Sequence, residues 1–90
     1  MKTIDFVKDS DVLKALGHPL RLKIVEGLML GDGCNVSKIV EELIIPQSTA
    51  SQHLKILKQA GIISVKKEGV QACYSVIDKR VVKIIKILKS

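Results

Sequence analysis

The 90-residue chain has no tryptophan, one phenylalanine, one tyrosine, two prolines and two cysteines. With only Phe6 and Tyr74 as aromatics, a stacking platform for single-stranded nucleic acid is excluded and the core has to be aliphatic. Cys34 and Cys73 are too few for a disulfide-stapled secreted domain and lack the paired spacing of a structural zinc site, so both are expected as free thiols and no metal is assigned. No apolar run approaches the ~20 residues of a membrane span, and the segment from Met1 to Phe6 lacks the apolar stretch of a signal peptide. A cytoplasmic protein with no membrane partner is therefore expected. His18 and His53 pair with no nucleophile in a recognisable motif, so neither an enzyme nor a cofactor is expected.

What is present is aliphatic and basic. Hydrophobic residues make up 47% of the chain, enough for one core in one domain over residues 1–90, and a core this small often leans on a partner subunit. The net charge of +6 is unevenly spread: residues 1–45 carry six basic and seven acidic side chains, residues 46–90 nine and two. Segregated positive charge suits nucleic acid or an anionic membrane surface, and is also met on ordinary solvated surfaces.

Local signals divide the chain into about five helices and a hairpin. Asp9 or Ser10 can cap a first helix carrying Val12, Leu13 and Leu16, which Gly17 ends. Pro19 starts a second with Leu20, Ile24, Val25 and Leu28 on one side, broken at Gly31-Asp32-Gly33. A short extended piece, Cys34-Asn35-Val36, precedes a third helix capped by Ser37, with Glu41 and Glu42 early in it and Ile39, Val40 and Leu43 toward the core. Pro46 starts a fourth helix and Gly61 stops it, so the third and fourth are joined by a very short turn, the helix-turn-helix arrangement.

The fourth segment is the most informative. At about 100° per residue, Ala50 and Leu57 fall beside Leu54 as a buried stripe, while Ser48, Thr49, Gln52, Lys55 and Gln59 cluster opposite with no acid among them. Solvated helix faces ordinarily mix Glu with Lys, whereas a face of hydroxyls, amides and lysine suits groove edges and phosphates. Ser48, Thr49 and Gln52 are assigned to base edges and Lys55 to phosphate, with Gln47 and Ser51 beside them. His53 lies at the border of the buried side and either packs or touches a phosphate. Ile56 either meets a thymine methyl or packs under the hairpin.

After Gly61 the period becomes two, Ile63 and Val65 and then Ala72, Tyr74 and Val76 alternating with polar residues about a turn at Glu68-Gly69. Lys66, Lys67 and Gln71 at its tip make it either a wing along DNA or a solubilised edge hairpin. Asp78 caps a last helix in which Val81, Val82, Ile84, Ile85, Ile87 and Leu88 alternate with basic residues. It packs on the first helix and a symmetry mate, or folds back within the monomer.

These segments resemble the ArsR/SmtB family of winged-helix repressors over nearly the whole chain. Leu16-Gly17-His18-Pro19-Leu20-Arg21-Leu22-Lys23-Ile24-Val25 is similar to the opening of the family's second helix. Ser48-Thr49-Ala50-Ser51-Gln52-His53-Leu54-Lys55-Ile56-Leu57 is similar to its recognition helix, and Ala60-Gly61-Ile62-Ile63 with Tyr74-Ser75 to its wing. The resemblance implies a mainly α winged helix-turn-helix that dimerises through its first and last helices. It also implies a homodimer on an inverted repeat of double-stranded DNA, released by an inducer the sequence does not identify. Metal-sensing members carry Cys-Val-Cys where this chain has Asn35-Val36-Ser37, and a carboxylate-histidine site in the terminal helix where it has only Asp78. Cys34 and Cys73 then fall on neighbouring strands and are either a thiol switch coupled to the wing, similar to the family's sulfur and oxidant sensors, or small apolar residues at sheet positions. Those sensors place one cysteine in the terminal helix, which here has none. A winged-helix module docking an acidic protein is the competing function; it would need apolar residues on the outward face, where only Ile56 serves.

Overall fold

Local capping chemistry sets most of the boundaries in the computed structural model, which describes residues 3–90. Helix α1 runs Phe6–Leu16, α2 Pro19–Leu30, α3 Val36–Leu43, α4 Gln47–Gln59 and α5 Lys79–Lys89. An antiparallel hairpin of β1 (Ile63–Glu68) and β2 (Gln71–Val76) stands between α4 and α5. The chain is thus mostly helical with one two-stranded wing.

Pro19 opens α2 behind His18, whose Nδ1 accepts the Leu20 amide at 3.1 Å. A proline costs nothing there because its missing N–H would be unpaired anyway. Asp78 accepts from the amides of Arg80 and Val81 and starts α5 as expected. Gly61, at φ +77, turns the chain after α4 while the Ile62 amide reaches back to the Leu57 carbonyl at 3.1 Å. The left-handed conformation needed for this stop is the one glycine adopts without strain.

Several expectations need correcting. The first helix starts a turn early because Asp5, not Asp9 or Ser10, caps it by accepting the Lys8 amide. Asp9 accepts the Asp5 amide through Oδ2 and the Arg80 guanidinium at 3.0 Å through Oδ1, which ties α1 to the start of α5. The segment after Gly33 is a 3₁₀ turn over Gly33–Asn35, not an extended piece; Asp32 caps it by accepting the Cys34 amide. Helix α3 begins at Val36, so Ser37 lies inside it, the cap position is Asn35 with no side-chain bond, and Glu41 and Glu42 fall in its second half. The hairpin turn is Gly69-Val70, one residue later than read, because Glu68 still pairs with Gln71.

One aliphatic core joins the elements. Ile24, Val25, Leu57, Ile62, Ile63 and Val81 are fully buried, with Val12, Leu16, Leu28 and Ile85 around them. Leu13 of α1 is exposed, and Leu54, read as the centre of the buried stripe of α4, is only half-buried. The short turn between α3 and α4 is closed by Ile44 at φ 53, an unusual conformation for a β-branched side chain. That turn and the core under α2 and β1 aim α4.

Candidate nucleic-acid interface

Helix α4 divides cleanly. Ala50, His53 and Leu57 are buried, and Leu54, Ile56 and Ala60 pack partly against the core. Gln47, Ser48, Thr49, Ser51, Gln52 and Lys55 are all exposed, with Lys58 and Gln59 continuing the face toward the C-terminus. No exposed α4 side chain has a hydrogen bond or ion pair to another described residue. Its N-cap, Pro46, makes no side-chain bond, and the first intrahelical bond is Ala50 N–H to the Pro46 carbonyl at 3.1 Å. The preceding amides therefore point outward at the positive end of the helix dipole, where an anion is best held.

The wing projects beside this face. Lys66, Lys67, Val70 and Gln71 are exposed at its end. Lys66 pairs with Glu68 at 3.7 Å, an exposed contact too weak to immobilise it. The register opposes Lys66 to Cys73 and Glu68 to Gln71, but Lys67 to Ala72. Lys66 and Gln71 thus share one face, while Lys67 lies on the face of Val65 and Tyr74, which line a groove with Leu54, Lys55 and Lys58 of α4.

His53 is the site residue the structure removes from the surface. It is 8% exposed, and its Nδ1 faces the Arg21 guanidinium at 3.2 Å. Desolvation, then His18 and Arg21, hold its pKa below the ordinary histidine value, and burial turns its ring away from the outward face of α4. Sequence reasoning gave no role to Arg21. Its signal was position: Arg21, Ile24, Val25 and Leu28 share the spacing of one helix face, so an arginine begins an otherwise buried stripe.

The cysteines are not free: Cys34 and Cys73 form a disulfide. The 3₁₀ turn lies against β2 so closely that a Cβ on Gly33 would collide with the Tyr74 carbonyl, which explains a glycine there. Both cysteines are half-buried, and the bridge links the approach to α3 with β2, the second strand of the wing. Among the described residues no cluster of three or more metal-ligating side chains occurs, and no helix is long and apolar enough to cross a membrane.

Two other helices carry exposed side chains of a different kind. Phe6, Val7 and Leu13 of α1 and Ile87 and Leu88 of α5 are large, apolar and more than half exposed.

Comparison with known proteins gives a consistent picture. Residues 18–65 match the family described as bacterial regulatory protein, arsR family. An HTH-type transcriptional regulator of Methanocaldococcus jannaschii is 43% identical over 83 residues, covering 92% of this chain and 93% of that protein. The transcriptional repressor PagR of Bacillus anthracis is 41% identical over 85 residues, covering 89% and 80%. Its crystal structure superposes with a TM-score of 0.78, over 92% of this chain and 94% of PagR. A homodimeric winged helix-turn-helix DNA-binding domain of Mycobacterium bovis superposes with a TM-score of 0.80 at 26% identity, over 93% and 77%.

Proposed function

The chain belongs to the ArsR family of bacterial regulatory proteins, and from that premise we propose that it is a repressor that binds an inverted-repeat operator in double-stranded DNA as a homodimer. The observation that carries the reading is the outward face of α4, which holds Gln47, Ser48, Thr49, Ser51, Gln52 and Lys55 in solvent with no acid and no internal partner. In this reading Ser48, Thr49 and Gln52 meet base edges, the last able to bridge N6 and N7 of adenine, while Lys55, Lys66, Lys67 and Gln71 meet the backbone. The apolar surface of α1 and α5 joins two copies so that their α4 helices lie ~34 Å apart, one turn of DNA. The protein acts in the cytoplasm as a single DNA-binding domain.

Control passes through the Cys34–Cys73 bridge. The disulfide form holds the wing against the approach to α3, and a thiol reductant opens it. One thiolate of the reductant attacks one sulfur and releases the other cysteine, leaving a mixed disulfide; its second thiolate then displaces the remaining cysteine and departs as the reductant's own disulfide, so that the bridge gains two electrons and two protons. The freed wing then holds the operator less tightly. A purely structural bridge is favoured by one observation, the 39-residue separation of its cysteines, for which loop closure alone stabilises a fold by about 4 kcal/mol.

The test uses a duplex selected by the protein from a random-sequence pool, titrated at low and high salt beside generic duplex. Tight, steeply salt-dependent binding with preference for the selected sequence is expected. Indifference to DNA at low salt would end the repressor reading. Repeating the titration with a dithiol, and with Cys34→Ser, separates the roles of the bridge. Weaker binding on reduction supports the switch, whereas unchanged affinity with lowered unfolding stability assigns it to structure.

A further inference from the structure

Helix α4 is aimed by contacts on its hidden side, and those contacts converge on one arginine. Arg21 Nε donates to the Ala15 carbonyl at 2.6 Å and Nη2 to the Lys14 carbonyl at 3.4 Å, closing the C-terminal end of α1. Its Nη1 faces His53 Nδ1 of α4 at 3.2 Å. One side chain on α2 therefore links the helix bearing much of the exposed apolar surface to the helix bearing the polar reading face.

The link dictates a protonation state. A guanidinium can only donate, so the nitrogen facing it has to offer a lone pair, and His53 has to be neutral with its hydrogen on Nε2. The surroundings reinforce this. Just before α2, the cap residue His18 lies 4.6 Å from the His53 ring centre to centre, its own Nδ1 committed to the Leu20 amide. From α1, Asp11 and Lys14 line the shallow groove beside Arg21 with opposite charges, and neither forms an ion pair with it. The β1 residues nearest α4, Ile63 and Val65, are apolar. A proton on His53 would meet Arg21 directly, with no carboxylate in contact to offset it.

Resting on the reading of α4 as the DNA-contacting helix, we propose that Arg21 is a positioning residue for operator binding: its bond to neutral His53 sets the orientation of α4 against α1, and acid that charges His53 releases the helix from the operator. Burial and the two neighbouring bases hold His53 below the ordinary value of about 6.5, so the unfolded chain takes up the proton first. The contribution is fully present above about pH 6.5 and is lost as pH falls from there through the folded value.

The experiment measures affinity for the selected duplex from about pH 8 to about pH 5.5. Folding and dimerisation are followed by circular dichroism and sedimentation at each pH. The unaltered protein is expected to lose about tenfold or more toward the acid end. Arg21→Met is expected to bind about tenfold more weakly at about pH 8 while remaining folded and dimeric, with Arg21→Lys recovering part of the loss. His53→Gln, which offers Arg21 an amide oxygen but cannot titrate, is expected to lose the acid sensitivity. His18→Asn, which keeps a cap acceptor, is expected to retain it. A His53→Gln profile as steep as the unaltered one, or Arg21→Met binding at full strength, overturns the proposal and leaves α4 as the reading helix. Failure of the unaltered protein to bind any duplex at about pH 8 overturns both. Should Arg21→Met not fold, nitrogen shifts of the His53 ring decide: a neutral ring unprotonated at Nδ1 is expected, and an imidazolium at neutral pH overturns the link.

Discussion

Helices α4 and α5 are both amphipathic and both lie in the basic half of the chain, yet their outer faces are chemically unlike. Of the nine basic residues in 46–90, five are on α5 (Lys79, Arg80, Lys83, Lys86 and Lys89) and only two, Lys55 and Lys58, on α4. The α4 face is instead built from neutral donors and acceptors. In addition, Arg80 is engaged by the carboxylates of Asp9 and Asp78, whose hydrogen bonds hold its guanidinium above the ordinary arginine pKa. Charge segregated along the sequence therefore falls mostly on α5 and does not single out the polar face of α4. The second contrast is apolar: α5 exposes Ile87 and Leu88, whereas α4 keeps its large aliphatic residues fully or partly packed.

If α5 serves assembly and α4 serves reading, substitutions on the two helices should fail differently. The largest effect is expected from Phe6→Asp with Leu88→Asp, which places charge on the exposed apolar surface. Sedimentation should show monomers, and operator affinity should fall by about two orders of magnitude as the two half-sites lose their linkage. A dimer that survives both changes would remove assembly from this face. Next comes Gln52→Ala on α4, expected to cost on the order of 1–3 kcal/mol on the selected duplex and little on generic DNA, with the dimer intact. Equal loss on all sequences would reassign Gln52 to the backbone. The smallest effects concern salt. Lys55→Ala or Lys66→Ala should each reduce the slope of log affinity against log salt by about 1 per site, while Lys83→Ala and Lys86→Ala on α5 should leave it unchanged. A reduced slope for the α5 variants would erase the distinction between the helices.

The same contrast shows what could be read from residues alone. Pro19, Pro46, Gly61 and Asp78 act on their own few neighbours, and each lies where its local chemistry placed it. The outward residues of α4 were likewise legible, because helical spacing and the absence of acids are local properties. Where two local solutions compete, sequence cannot choose between them. Asp5 and Asp9 both bond at the start of α1, Asp5 accepting the Lys8 amide and Asp9 the Asp5 amide, and only the fold brings Arg80, 71 residues beyond Asp9, onto the second carboxylate. His53 at the border of the stripe goes inward because Arg21, 32 residues earlier, offers it a donor. The Cys34–Cys73 bond depends on Gly33 letting the 3₁₀ turn lie against Tyr74, a contact no local pattern encodes. Ile44 in the left-handed region also ran against propensity. Its side chain is exposed, so Ile44→Gly should raise unfolding stability by about 1 kcal/mol in a denaturant titration.

The central claim, that the polar face of α4 lies against duplex DNA, is tested most directly by following backbone and side-chain amide signals while the selected duplex is added. The account predicts the largest shifts at residues 47–52 and Lys55, with the side-chain amide of Gln52 among them, smaller ones at the wing tip around Lys66, Lys67 and Gln71, and little change along α5. Shifts concentrated on α1 and α5, with the α4 face unmoved, would contradict it.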